Sequence, residues 1–232
     1  RMDRVETKVR EMIRDQVLLV DVDGSRVGQV NGLAVANVGG YEFGRPTRIT
    51  ASVSMGGLGV VSVDRAAKMS GSTFDKGVLT LCGYLRHTYA QDFPLTLSAS
   101  LSFEQSYSGV DGDSASAAEV FALVSSLSGL PLRQDIAVTG SVNQFGEVQP
   151  VGGVNERIEG FFRVCQAVGL SGRQGVALQA QGLAHLVLDR EVEEALRQGR
   201  FHLWALRTVD QGLELLTGVQ AGEVESAGTV HG

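Results

Sequence analysis

The chain has 232 residues and a net charge of −6. Hydrophobic residues make up 43 % and aromatics only 6 %. That length and apolar content suit one globular unit with a sizeable core. The acidic balance supplies no electrostatic footprint for nucleic acid, and no apolar run approaches the roughly 20 residues that cross a bilayer. Two cysteines, Cys82 and Cys165, sit in apolar helical contexts. They read as free buried thiols, which points to a reducing, cytoplasmic setting.

In chain order, residues 1–15 (RMDRVETKVREMIRD) form a charged helical stub that reads as the end of a preceding region. Gln16 to Asp21, Gly28 to Val38, Thr47 to Met55 and Leu58 to Val63 are β-rich runs separated by Gly, Pro and Asp. Asp23-Gly24 offers a hairpin turn, so an antiparallel layer is expected. Lys76 to Tyr89 has apolar residues on one helical face, and Leu95 to Leu101 is again strand-like.

Gly109 to Arg163 carries the chemistry. A loop with Gly109, Asp111, Gly112 and Asp113 leads into a helical pattern through Ala118, Phe121, Ala122, Val124, Ser125 and Leu127, closed by Gly129 and Pro131. Ser114 is thereby expected on the first turn of a buried helix, where unpartnered N–H groups and a positive dipole favour an oxyanion. Read locally, Asp113 and Ser114 serve equally well as a plain N-cap.

Asp135 to Val142 and Glu147 to Val151 read as a hairpin around Asn143-Gln144-Phe145-Gly146. It delivers Gly152-Gly153 into a second helix with an apolar stripe of Val154, Ile158, Phe161, Cys165 and Val168. Arg157 flanks that stripe, either with a partner or task inside or snorkelling outward. Strand, helix, strand and helix follow over Gly175 to Leu216, with Asp189 as the cap of the Asp189–Gln198 helix. These elements imply a small α/β layer. Residues 219–232 lose periodicity and are expected to be a disordered tail. The fold expected is α+β: an N-terminal antiparallel β-rich layer with helices, then the small α/β layer.

The blocks GVDGDSAS, IAVTGS, GEVQPVGGVNERIEG and DREVEEALRQGRFHLWALRTVDQGLELLTG, in that order, resemble the proteolytic domain of Lon proteases, nearest their membrane-type, archaeal-like branch. The resemblance assigns that domain to residues 16–218 and implies a serine endopeptidase with a Ser-Lys dyad acting on unfolded or damaged proteins. It further implies a hexameric ring of subunits, with ATP handled by a separate module. No GxxxxGK[ST] phosphate loop and no metal-ligand pattern occurs in this chain.

Ser114 occupies the serine position of the resembling motif. Thr139 matches a threonine that helps hold the lysine, though it is equally an ordinary β-branched strand residue. Asp111 matches an acidic position near the dyad, with Asp113 beside the serine. The lysine of the GGxxxK pattern is replaced by Arg157, which stays charged in ordinary protein sites and cannot act as a lysine base. Lys8, Lys68 and Lys76, the only lysines, match no such motif. A catalytically inactive peptide-binding or assembly domain is therefore the competing reading. For substrate, the edge from Ser52 to Leu58, with Met55, Gly56 and Gly57, would accept an extended peptide strand, although its glycines also suit a turn or bulge.

Overall fold

A computed structural model describes residues 7, 11–12, 18–38, 40–55, 59–62, 72–89, 97–104, 114–222 and 228–231. At positions 37, 38, 41, 55, 59–62, 72–79 and 97 it describes the backbone alone. Thr7, Glu11 and Met12, within the expected stub, are helical.

The strands are β1 (Ser25–Arg26), β2 (Gln29–Val38), β3 (Tyr41–Met55), β4 (Gly59–Ser62), β5 (Leu97–Glu104) and β6 (Leu132–Arg133). After them come β7 (Ile136–Val138), β8 (Ser141–Val142), β9 (Val148–Gln149), β10 (Gly175–Gln179) and β11 (His202–Leu206). The helices are α1 (Ser72–Tyr89), α2 (Ser116–Ser128), α3 (Val154–Val168), α4 (Arg190–Arg197) and α5 (Val209–Thr217). A 3-10 turn spans Ala180–His185.

The expected mixed architecture is present, and its two layers are halves of one sheet. Seven strands run in the order β11-β10-β7-β2-β3-β5-β4. β2, β3 and β5 pair antiparallel, whereas β7, β10 and β11 are parallel. The halves join where β2 runs parallel to β7, Gly32 opposite Val138. Asp23-Gly24 does not make a hairpin with the residues before it. It leads into β1, which pairs with the distant β6, and Leu18 to Val22 is not a strand.

Both faces of the parallel half are covered, which is why its strands are apolar at consecutive positions. Ile136 and Val138 face one core cluster, shared with α1, α2 and α5, while Ala137 between them faces a second, shared with α3 and α4. On α3 the buried stripe consists of Ile158, Phe161, Phe162, Val164 and Cys165. Val168, expected in that stripe, is 51 % exposed at the helix end. Burial raises the Cys165 thiol far above its ordinary pKa, with Asp135 adding in the same direction, so this thiol is inert.

Two further expectations change for reasons outside local sequence. Asp189 stands at the N-cap of α4 without a side-chain cap bond. Its carboxylate instead holds Arg163 at 2.8 Å, and its amide donates to Glu159 Oε1 at 2.8 Å, tying α4 to α3. The tail, in its described residues 219–222 and 228–231, is fastened rather than frayed. The Val230 and His231 amides donate to Gln220 and Ala221 carbonyls. His231 also bridges Tyr89 at 2.6 Å and Asp210 at 2.8 Å.

Helix α3 lies directly on β3 through glycine. A Cβ on Gly44 would fall 1.9 Å from the Glu156 carbonyl oxygen, and one on Gly160 would fall 2.1 Å from the Gly44 oxygen. Both neighbours are backbone, so neither can swing aside. Gly44→Ala and Gly160→Ala should each lower stability by about 3 kcal/mol, at the upper end of overpacking costs, read as the urea midpoint. Gly152→Ala, with nothing within 4 Å, should leave that midpoint almost unchanged.

Candidate active site

Ser114 lies in the turn immediately before α2, two residues ahead of the first helical residue, and is 5 % exposed. This differs from the expected first-turn position, and the cause is non-local. The Ala117 amide donates to the Gly140 carbonyl (3.2 Å), and Ser116 Oγ accepts from the Val142 amide (2.9 Å). The link between β7 and β8 thus supplies partners that start the helix at Ser116, while the N-cap position falls to Ala115, which has no side-chain cap. The Ala117 amide is therefore committed to Gly140 and is not available to an oxyanion.

The same link holds the serine. The Gly140 amide donates to the Ser114 carbonyl oxygen at 3.3 Å. Gly140 has φ +145°, a backbone state that L side chains rarely adopt, and a Cβ there would meet Val148 Cγ1 at 2.9 Å. Next to it, Thr139 is 2 % exposed. Its amide donates to the Ala177 carbonyl at 3.0 Å, and its Oγ1 is buried with no hydrogen-bond partner among the described residues.

Arg157 is 5 % exposed at the head of α3, so it does not snorkel. Its Nε donates to the Gly152 carbonyl at 3.0 Å and its Nη1 to the Leu33 carbonyl. Leu33 follows Gly32, which pairs in register with Val138, so this carbonyl lies on β2 beside the Thr139 end of β7. Ser114, Gly140, Thr139, Leu33 and Arg157 are thereby gathered at the C-terminal end of β7. Asp111, Asp113, Gly56 and Gly57 lie outside the described residues. Met55 ends β3, and its side chain is likewise outside them.

A cleft of about 230 Å³, not anticipated from sequence, opens beside this cluster. Thr139 and Gly140 form one side, Gly153 and Asn155 at the head of α3 another, and Leu178 and Gly182 the third. Its walls come from three separate segments, so no local motif could have announced it. Among the described residues no group of His, Cys, Asp and Glu could hold a metal ion. No described helix is long and apolar enough to cross a membrane.

The unpartnered hydroxyl makes a stability prediction. A buried polar group without a hydrogen bond costs about 1–3 kcal/mol. Thr139→Val, nearly the same shape without that group, should raise stability by about 1 kcal/mol in urea unfolding. A loss of similar size would mean that the hydroxyl is bonded in solution.

Comparison with known proteins agrees with the resemblance in the sequence. Residues 106–165, which include Ser114 and end in the last turn of α3, match the family Lon protease (S16) C-terminal proteolytic domain. A Lon protease homolog of Escherichia coli (strain K12) is 42 % identical over 90 % of this chain, and one of Haemophilus influenzae (strain ATCC 51907 / DSM 11121 / KW20 / Rd) is 42 % identical over 92 %. An archaeal Lon protease of Archaeoglobus fulgidus (strain ATCC 49558 / DSM 4304 / JCM 9628 / NBRC 100126 / VC-16) is 29 % identical over 82 %. The chain spans 36 % of the length of each of the first two relatives and 29 % of the third. Along nine-tenths of its own length, the chain is therefore a relative of the Lon proteases in their proteolytic domain.

Proposed function

We propose that this chain is a Lon-type serine endopeptidase domain in which Ser114 is the nucleophile and Arg157 occupies the place of the general base. The observation that carries the reading is the convergence of the Ser114 turn, Thr139 and the buried head of α3 at the end of β7, joined through Gly140 and Leu33. In the reaction, Ser114 Oγ bonds to the substrate carbonyl carbon and its proton passes to the base. The peptide C–N bond then breaks as the proton is handed to the leaving amine, and water hydrolyses the ester. This serine chemistry calls for no cofactor in this chain, and ATP would act through a separate module.

Unfolded protein is the substrate we infer, in a closed six-membered ring and a cytoplasmic setting. Heterologous contacts around a cyclic axis would confine the sites to a chamber. An extended peptide would align along the end of β3 near Met55, Gly56 and Gly57, with Asp111 and Asp113 flanking the serine.

Arg157 also favours a second reading, a peptide-binding or assembly domain with little turnover. Its guanidinium donates to two backbone carbonyls and retains its proton near neutral pH. A lysine at the same depth loses its proton more easily, because burial disfavours its charged form and lowers its pKa. Arg157→Lys should therefore raise casein cleavage by about 10²–10⁴-fold, the usual contribution of general-base assistance. The rate of the lysine form should climb between pH 6 and 9 as that amine deprotonates and then level off. Equal rates for the two forms would assign the base to another group.

A further inference from the structure

We propose that a second cavity, between the end of α1, the turn joining β8 to β9 and the start of α5, binds a guanidinium group, carried either by a small molecule or by an arginine of another protein. None of its lining residues belongs to the cleft or to the serine cluster. The proposal therefore stands apart from the proteolytic reading.

The cavity encloses about 370 Å³, within the range of about 300–1,000 Å³ usual for small-ligand sites. Tyr84, His87, Phe145, Asp210 and His231 supply its side-chain chemistry. Phe145 is the residue that calls for a ligand. It is 63 % exposed, yet the turn that displays it is held on every side. Asn143 Oδ1 accepts from the Phe145 and Glu147 amides, both at 3.0 Å. The Gly146 amide donates to the Asn143 carbonyl at 3.0 Å, and the Gly146 carbonyl accepts from the Val209 amide at 2.8 Å. Gly146 also rests on Tyr84, since a Cβ there would fall 2.8 Å from Tyr84 Cε2. His87 sets its ring against Phe145 at 5.6 Å, edge to face. An aromatic ring fixed in this way loses little further freedom when a ligand stacks on it.

Charge selects the class. Asp210 is the one carboxylate among the described lining residues, and none of these is Lys or Arg. Arg86 and Arg207 adjoin lining residues in sequence, but they are exposed and outside the lining. Asp210 Oδ1 accepts from His231 Nε2 at 2.8 Å, and His231 is held in turn by Tyr89. That bond orients the carboxylate and leaves Oδ2, on a side chain 55 % exposed, to face a ligand. The negative charge is felt inside the cavity. Burial first, and Asp210 in addition, push the Tyr84 phenol up to about 12 against a hydrogen bond from Thr88, so Tyr84 stays neutral. The helix ends agree with this sign. Tyr84, His87 and Thr88 stand in the last two turns of α1, at the negative end of its dipole, while the positive end at the start of α5 is met by Asp210 in its first turn. Among organic cations the guanidinium fits best. It is flat and weakly hydrated, and it can stack on Phe145 while donating to Asp210 Oδ2.

The test titrates the ¹⁵N-labelled chain at pH 8, where an ordinary imidazole is uncharged, with N-acetyl-argininamide, N-acetyl-citrullinamide and butylguanidinium while amide shifts are followed. The expected result is saturable shifts at Thr88, Gly146 and Gly222 with argininamide, about tenfold tighter than with citrullinamide, its uncharged near-isostere. Asp210→Asn removes the charge but keeps an oxygen for His231, and it should weaken argininamide about tenfold. Phe145→Ala, at an exposed position, should weaken it about two- to fivefold, and it keeps the proposal testable if Asp210→Asn fails to fold. Butylguanidinium as tight as argininamide would assign the site to a free small cation, and argininamide the tighter would assign it to an arginine of another protein. Citrullinamide binding as tightly as argininamide, no saturable shift at these amides, or an unaltered argininamide Kd in a folded variant would each overturn the assignment.

Discussion

The site depends on one backbone-to-backbone contact, the crossing of α3 over β3 at Gly44 and Gly160. With no Cβ on either residue the helix settles against the strand itself, and the Glu156 carbonyl and Arg157 Cα come to rest over Gly44. Residue 157 is thereby held low over the sheet, close enough for its guanidinium to reach the Leu33 carbonyl on the neighbouring strand β2. The helix entrance is fixed in the same way. Gly153, at φ +65°, turns the chain into α3 where a Cβ would strike Val35 Cγ2 at 2.7 Å. Whatever side chain occupies position 157, the backbone delivers it to the same buried place.

The serine side of the site is built independently and by different means. Gly140 accepts from the Ala117 amide and donates to the Ser114 carbonyl, so one residue clamps both the start of α2 and the turn before it. Fold and chemistry are therefore separable here. The clamp and the glycine crossing use only backbone groups and small residues, and neither depends on the chemical identity of the group at position 157. That separation explains how a chain can keep a peptidase architecture while carrying a cation unsuited to proton transfer.

What could be read from the sequence was what depends on short range. Helix α3 announced itself through Ile158, Phe161 and Cys165 at helical spacing, and α2 through its period and its closing Gly129, which indeed caps at φ 73°. The hairpin of β8 and β9 followed from its turn residues. What could not be read rests on contacts between distant segments. The start of α2 is moved past Ser114 by bonds from Gly140 and Val142, and Asp189 is drawn from capping α4 to binding Arg163. The tail is held by His231 between Tyr89 and Asp210, partners 142 and 21 residues away. For the site, Ser114, Thr139 and Arg157 could be named from motif resemblance. The cleft beside them, and the Leu33 carbonyl that holds Arg157 from 124 residues away, come from segments that only the folded sheet brings together.

The central claim is that Ser114 stands where a nucleophile must stand and that residue 157 decides whether it is activated. Its most direct measurement is covalent labelling by a fluorescent peptidyl phosphonate, followed as intact mass and peptide mapping, in the Arg157 chain, the Arg157→Lys chain and the latter with Ser114→Ala. The account predicts fast labelling of the lysine form, slow labelling of the arginine form, and an adduct mapped to Ser114 that vanishes with the alanine substitution. Labelling that persists without Ser114, or that is as fast with arginine as with lysine, would contradict it.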